Sequence, residues 1–566
     1  MARRNRQIAT RLALAGAAVA LPLAMAGPAS AAVTTNLTGG ELTVSSDSGD
    51  GIQITSEGGN VKVNGFNPGA APAASTTITS IEVNGGPGAN LIDLNGVTTA
   101  AFTALGDVDV DAGAGNDEVR GSQRADDIQG GEGNDRLVAF TNPAGTRDLM
   151  QGGEGDDTLV WNPGDGSDTT DGQAGSDTIE VNGGAAAEEF TVAASATPGR
   201  ISFDRVTPGP FNVDIGTAER LDLNANGGDD TLNKAGGATG LTALAIDADG
   251  GDGNDTLNGG DAADTLTGGA GNDRLAAFRN PAGSRDVMTG GDGDDTLVWN
   301  PGDGDDMMDG QAGTDRTEVN GGGGGEQFRI KPSAIPGRVQ FDRTGPTPPG
   351  PFNLDIGTTE VLDLNANGGN DDIDAAERRG LGALMFLRLN GGDGDDAIRG
   401  GDGGDAISGG AGRDTLDSRD GGADAVTCGT ESDSLIADPQ DAVDADCELV
   451  DRGVNADTIA PRVDVSRKAV KVNRSRQAGV RVSCPGGETS CVVKVELRRN
   501  GRSLGTRRIT IAGGQSRVVN VRLSRRTAAA VRRNGRLRVK AVVTARDVAG
   551  NARRSTLRLT LKPNSR

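Results

Sequence analysis

The stretch 250–318 constrains this chain more than any other part. It opens Gly250-Gly251-Asp252-Gly253-Asn254-Asp255-Thr256-Leu257-Asn258, and the next two blocks of nine, 259–267 and 268–276, obey the same rule, G-G-x-G-x-D-x-U-x with U apolar. A single copy carries little information, whereas tandem copies in one register define a period. A disordered glycine- and aspartate-rich linker has the same composition. Such a linker has no reason to hold Leu257, Leu266 and Leu275 at one fixed place in each copy.

Each part of the nonapeptide has a physical task. Glycines permit positive φ and close backbone approach, so the first six residues can wrap with their carbonyls turned inward. The aspartate at position six adds a hard anionic oxygen. Carbonyls and carboxylates together make a ligand set for calcium, which takes six to eight oxygens. The last three residues form a short strand whose central side chain enters the coil. Stacked carboxylates repel and three-residue strands bury little, so folding is expected to be coupled to ion binding.

The pattern resembles the calcium-binding repeats-in-toxin (RTX) nonapeptide family. The resemblance implies an all-β parallel β-roll, two nonapeptides per turn, with calcium ions between turns and each aspartate serving neighbouring sites. It also implies extracellular-type affinities of roughly 10⁻⁴–10⁻³ M.

Three blocks carry the period. The first, 112–180, places Asp117, Asp126, Asp135, Asp148, Asp157, Asp168 and Asp177 at position six, with inserts at 139–142 and at Trp161-Asn162. The repeat around Asp148 has lost most of its glycines and is left out of the ligand set. The second, 250–318, repeats the first with its inserts and offers Asp255, Asp264, Asp273, Asp286, Asp295, Asp306 and Asp315, of which Asp286 is the counterpart of Asp148. The third, 391–451, offers Asp396, Asp405 and Asp414. Segments 181–249 and 319–390 form a recurring spacer with strand-like runs and turns at Glu189–Val192, Gly199–Arg205 and Phe211–Gly216, returning around Phe328, Arg338–Arg343 and Phe352–Gly357. Both read as folded β-structure. Residues 32–111 read as an irregular, solenoid-like β lead-in, in which Asn90 stands where an aspartate would be and continues the coil without a full ion site.

The ends differ from the middle. Residues 1–31 have the basic start (Arg3, Arg4, Arg6), apolar run and Ala29-Ser30-Ala31 site of a secretory signal, and no later segment is long and apolar enough to span a bilayer. Export and an extracellular or cell-surface location are expected. From Arg452 onward there are about 29 Lys/Arg against 5 Asp/Glu, while the whole chain is −24, so an acidic region is joined to a basic one. Valine-rich alternation across 459–566 predicts a β-sandwich of about 100 residues, with a short helix near 524–533. Residues 457–461 and 543–551 resemble the opening and the final hairpin of bacterial immunoglobulin-like domains. Two close cysteine pairs in an exported chain make disulfides the expectation. The segment 421–448 resembles the closing segment of secreted actinobacterial RTX-type proteins, which implies a Cys428–Cys447 bond, and Cys484 with Cys491 forms the second, local pair.

The chain has no histidine. That excludes the H-E-x-x-H zinc centre and Ser-His-Asp or Cys-His mechanisms. No nucleotide-binding fingerprint is present, and aromatics at 2% give no stacking platform for sequence-specific nucleic acid. The expected function is a non-enzymatic, calcium-binding structural or adhesive protein. Two alternatives stand beside it. One is a polysaccharide hydrolase in the spacers, using non-repeat acids such as Glu219 or Glu360. The other is an anionic cell-envelope polymer bound by the basic region, whose arginines otherwise form a solvated face. Trp161 and Trp299, the only tryptophans, either cover a break in the coil or offer a sugar platform; the first reading is preferred because each recurs with its insert.

Overall fold

The computed structural model describes residues 33–564, apart from 142, 144, 235–243, 279–282, 345–350, 376–379, 453–463, 466–469, 485–489, 513–514 and 547–551. The expected leader and residues 457–461 therefore lie outside the described residues, and the final hairpin is described only in its flanking strands.

Short strands coil into two facing parallel sheets. Thr256–Asn258 pairs with Arg274–Ala276, which places Leu257 beside Leu275, one coil turn later. The strand between them, Thr265–Ala270, lies in the opposite sheet and pairs with Arg285–Asp292. One turn is thus two nonapeptides. Where an insert intervenes, the register lengthens and the pairing survives: Leu266 meets Met288 across the second block's insert. Inward residues of both sheets form one continuous apolar core running from Leu42 to Ala437. Since side chains alternate across a strand, one apolar residue per three-residue strand suffices to line it.

The lead-in is more regular than its sequence suggests. Glu41–Ser45, Ser80–Asn84 and Asp107–Asp111 already pair in parallel register as rungs of one sheet. The first spacer is a meander inserted edgewise. Asp168–Ala174 pairs with Phe211–Ile215, then Ile201–Thr207 and Glu189–Ala194 follow antiparallel, and Glu189–Ala194 hands the parallel register on to Thr231–Lys234. The second spacer does the same through Phe352–Ile356, Val339–Arg343 and Gln327–Pro332, but in the opposite sheet. Each spacer holds three successive strands in one sheet, so the following block is phased half a turn away.

Trp161 and Trp299 are each 1% exposed, which removes the sugar-platform reading. Trp161 stacks on Phe211 of the spacer at 3.7 Å between centroids, and Trp299 on Phe352 at 3.8 Å. Their indole N–H groups donate to Gly166 O and Gly304 O. The insert exists to tuck the ring under the meander.

The basic segment forms a separate, mostly antiparallel sheet of eight strands. Gln477–Ser483 pairs with Ser516–Arg522, and Ser490–Arg499 lies between Arg502–Ala512 and Leu537–Arg546. Val480, Val482, Val519 and Val521 share a core with Val493, Val495, Val539 and Val543. The helix Arg525–Asn534 lies where the short helix was expected; Ser524 caps it by accepting from Thr527 N–H, and Gly535 ends it at φ 67°. Both expected disulfides are formed, Cys428–Cys447 and Cys484–Cys491. No helix among the described residues is long and apolar enough to cross a membrane.

Candidate metal centre

Parallel stacking brings position-six side chains of successive turns into columns. Within a column, each backbone N–H donates to the carboxylate one turn further on. Asp117 N–H meets Asp135 Oδ1 at 2.8 Å, Asp135 meets Asp157 at 2.8 Å, and Asp157 meets Asp177 at 2.9 Å. The second block repeats the relay through Asp255, Asp273, Asp295 and Asp315. The third runs Asp396, Asp414 and then Asp433. The degenerate repeats form shorter relays of the same kind: Asp126–Asp148–Asp168, Asp264–Asp286–Asp306 and Asp405–Asp424–Asp441. Asp148 and Asp286 therefore stand in the columns as squarely as their neighbours.

The relay uses one oxygen of each carboxylate. The second, Oδ2, is buried without a hydrogen-bond donor in Asp117, Asp135, Asp157, Asp177, Asp255, Asp273, Asp295, Asp315, Asp396 and Asp414. A glycine carbonyl lies beside it. A methyl group added to Gly268 would collide with Asp273 Oδ2 and come within 2.6 Å of Gly290 O one turn on. Its neighbour Gly269 has φ +113°, and a side chain there would strike Gly251 O. Glycine is obligatory at both places because oxygens crowd the turn.

A buried carboxylate oxygen facing carbonyls, with no proton donor between them, is an incomplete electrostatic arrangement. Burial pushes the carboxyls of Asp135, Asp315 and Asp414 up to about 6, and those of Asp157 and Asp273 up to about 7. Relay hydrogen bonds oppose that rise, and neighbouring carboxylates add to it. A hard cation supplies what is missing, and all-oxygen ligands of mixed carbonyl and carboxylate character suit calcium.

Three of the expected ligands differ. Asp126 Oδ2 accepts from Ser122 N–H, Asp264 Oδ2 from Gly260 N–H and Asp405 Oδ2 from Gly401 N–H. In these repeats the long turn folds back and supplies a donor, so their second oxygen accepts one hydrogen bond and keeps a lone pair. Asp168 and Asp306 close their short relays as acceptors.

The columns also contain residues that the period did not reveal. Asp230 and Asp371 join the second and third relays, each with a buried donor-free Oδ2. Glu188 and Glu326 open those relays by donating backbone N–H to Asp230 and Asp371. Glu219 and Glu360 are not independent acids: they accept from Asp177 N–H at 2.9 Å and Asp315 N–H at 2.8 Å and so end two relays. The longer glutamate side chain spans the wider gap at the spacer.

Where the columns start, the protein supplies its own donor, an amide at the first and a guanidinium at the other two. Asn90 Nδ2 donates to Gly88 O at 2.6 Å, Ala112 O at 3.1 Å and Gly86 O at 3.3 Å, so an amide occupies the carbonyl cradle. Arg205 donates to Glu188 at 2.7 Å, and Arg343 pairs with Glu326 at 2.5 Å, with both side chains 3% exposed. The Arg205 guanidinium also lies over the Phe211 ring at 4.9 Å.

The sequence model of the RTX calcium-binding nonapeptide repeat (four copies) matches residues 111–139, 145–160, 248–277, 283–298 and 388–424. No curated protein matches the chain. The matched segments hold the central relay members Asp117, Asp135, Asp157, Asp255, Asp273, Asp295, Asp396 and Asp414, while Asp177, Asp230, Asp315, Asp371 and Asp433 lie outside them, and RTX nonapeptide repeats bind calcium. The chain carries RTX calcium-binding nonapeptide repeats, and it is a calcium-binding β-roll protein.

Proposed function

We propose that this is an exported structural or adhesive protein whose roll becomes ordered when it meets extracellular calcium. The observation that carries the reading is the column of buried carboxylates with one oxygen held by the relay and the other free of any donor. Asp117, Asp135, Asp157, Asp177, Asp255, Asp273, Asp295, Asp315, Asp396 and Asp414 are the primary ligands, and Asp230, Asp371 and Asp433 belong with them. Asp126, Asp168, Asp264, Asp306 and Asp405 line the degenerate turns and contribute where a lone pair stays open. The basic start and small-residue site of 1–31 support export. Folding coupled to calcium suits a chain that stays unfolded until it leaves the cell. The test is a calcium titration of chelator-stripped full chain by far-UV circular dichroism and size exclusion. A cooperative gain of β signal with compaction, not reproduced by magnesium, is expected; no calcium response with no bound ions refutes the reading.

One observation favours a second role for the basic module. Arg498, Lys540 and Arg558 lie directly opposite one another on three adjacent strands, and Lys494 lies opposite Arg508. Like charges in cross-strand register destabilise a sheet by up to about 1 kcal/mol per pair. A surface that retains them is suited to a polyanion, and immobilised anionic envelope polymer should hold the module in low salt and release it in high salt.

A further inference from the structure

Residues 419–424 read Arg-Asp-Gly-Gly-Ala-Asp, so Asp420 stands where the nonapeptide has its second glycine. We propose that Asp420 adds a third carboxylate to the position-six aspartates Asp405 and Asp424, and that the three form a calcium site tighter than the other sites of the columns. The proposal rests on the reading that the roll binds calcium.

One carboxylate oxygen from each of the three residues lies within 4.8 Å of the other two. Oxygens that share a calcium ion at about 2.4 Å lie at most about 4.8 Å apart, so the cluster has the span of a single coordination sphere. Asp424 is 2% exposed and its Oδ2 has no donor; Asp420 Oδ2 is likewise buried without one. The other oxygens are held in place. Asp424 Oδ1 accepts from Asp405 N–H at 2.8 Å, and Asp420 Oδ1 accepts from Gly422 N–H. Asp405 takes one N–H from Gly401 at 2.9 Å and a long one from Leu387 at 3.4 Å, which leaves lone pairs open on both oxygens. A side chain on Gly422 would collide with Gly403 O and come within 2.9 Å of Asp420 Oδ1, so a carbonyl converges on the same place. Asp438 Oδ2 fixes the backbone by accepting from Asp420 N–H at 3.1 Å and Gly421 N–H at 2.7 Å. The adjacent cation, Arg419, is turned to Asp417 at 2.9 Å.

The third carboxylate sets this site apart. Along the repeat columns the second glycine brings only backbone to the turn. Here that position adds a full negative charge, and calcium affinity rises with ligand charge and rigidity. Asp405 and Asp424 immediately precede the paired strands Ala406–Ala411 and Ala425–Thr430, and the second of these carries Cys428 of the Cys428–Cys447 bond.

The experiment is stepwise calcium removal from the full chain in graded calcium buffers, with bound metal read by elemental analysis after gel filtration. The wild type should keep about one ion at free calcium about tenfold below the midpoint for the rest. Asp420→Asn, whose amide oxygen still accepts from Gly422, should release that ion with the others, and Asp273→Asn should keep it. Release of every ion in one step by the wild type overturns the proposal, as does a tight ion that persists in Asp420→Asn. If Asp420→Asn does not regain the wild-type circular dichroism in saturating calcium, the wild-type and Asp273→Asn curves decide alone. An absence of bound ions even in millimolar calcium would instead overturn the general calcium reading.

Discussion

Asp273 allows the ion reading to be tested with an experiment the chain has already performed on itself. Its Oδ1 accepts from Asp255 N–H at 2.8 Å, and its Oδ2 has no donor. Asp273→Asn keeps the first contact and replaces the second oxygen by an NH₂ group. The carbonyls around it correspond to those that receive Asn90 Nδ2, with Gly269, Gly271 and Gly290 in place of Gly86, Gly88 and Ala112. Two new hydrogen bonds at about 1 kcal/mol each should stabilise the metal-free rung by about 2 kcal/mol. Asp273→Ala instead leaves Asp255 N–H buried and unpaired, at a cost of about 1–3 kcal/mol. In chelator the order of stability should be Asn above wild type above Ala, with about 3–5 kcal/mol between the extremes. In saturating calcium the wild type should lead, and both variants should bind fewer ions. Urea unfolding followed by circular dichroism, with and without chelator, reads the order, and elemental analysis counts the ions. A Asp273→Asn protein that binds calcium as the wild type does, or that is as unstable in chelator as Asp273→Ala, refutes the argument.

Other outcomes follow from the same geometry. Burial raises the Asp135 carboxyl to about 6 and those of Asp157 and Asp371 to about 7, against 3.8 when exposed, so the metal-free roll takes up protons that the unfolded chain does not. Its stability should be greatest below about pH 4 and fall as pH rises through 6–7, while calcium binding should strengthen over that window; a metal-free β signal that grows with pH would contradict this. Arg343→Met strands the buried Glu326 and should cost about 3–5 kcal/mol in chelator, with part of the loss recovered in calcium as the ion takes over from the guanidinium; urea unfolding under both conditions reads it. Trp299→Ala removes the ring packed on Phe352 and should cost about 3–5 kcal/mol in saturating calcium without altering retention on polysaccharide; lost retention with an unchanged melt would restore the sugar-platform reading.

The sequence makes the repeating part legible because the nonapeptide couples two independent constraints, a glycine turn and an inward apolar residue, at one spacing. That coupling locates Asp255, Asp273 and Asp295 with no tertiary information. Glu188 and Glu326 were within reach of the same rule, since each follows a Gly-Gly pair at position six with glutamate for aspartate. Asp230 and Asp371 are harder, because their glycines are displaced within the turn. Glu219 and Glu360 carry no periodic signal: each lies more than forty residues from the aspartate it meets, and only closure of the spacer meander brings them together. Arg205 and Arg343 are hidden for the same reason. Local patterns also cannot show that one spacer enters one sheet and its twin the other, because sheet identity depends on counting every strand between them.

The arrangement of protein-supplied charges explains how so acidic a roll can begin to form. A column of buried carboxylates is self-repelling before ions arrive, and a three-residue strand has little apolar area to oppose that repulsion. At the first rung of each long column the charge is absent or compensated from within: Asn90 is a neutral amide, and Glu188 and Glu326 are paired with Arg205 and Arg343. Two of these rungs also lie beside aromatic clusters: Phe190, Phe203 and Phe211 pack in the first spacer, and Phe328, Phe341 and Phe352 in the second. Each calcium block therefore starts from a turn whose polar groups are matched within the protein and which offers the next turn a strand edge and a backbone donor. Binding one ion then orders one rung instead of the whole coil, so the nucleation cost is met by side chains and only propagation depends on calcium. Removing an internal cation should on this account impair folding of the block that follows it more than the block that precedes it, a direction that hydrogen exchange across Arg343→Met resolves rung by rung.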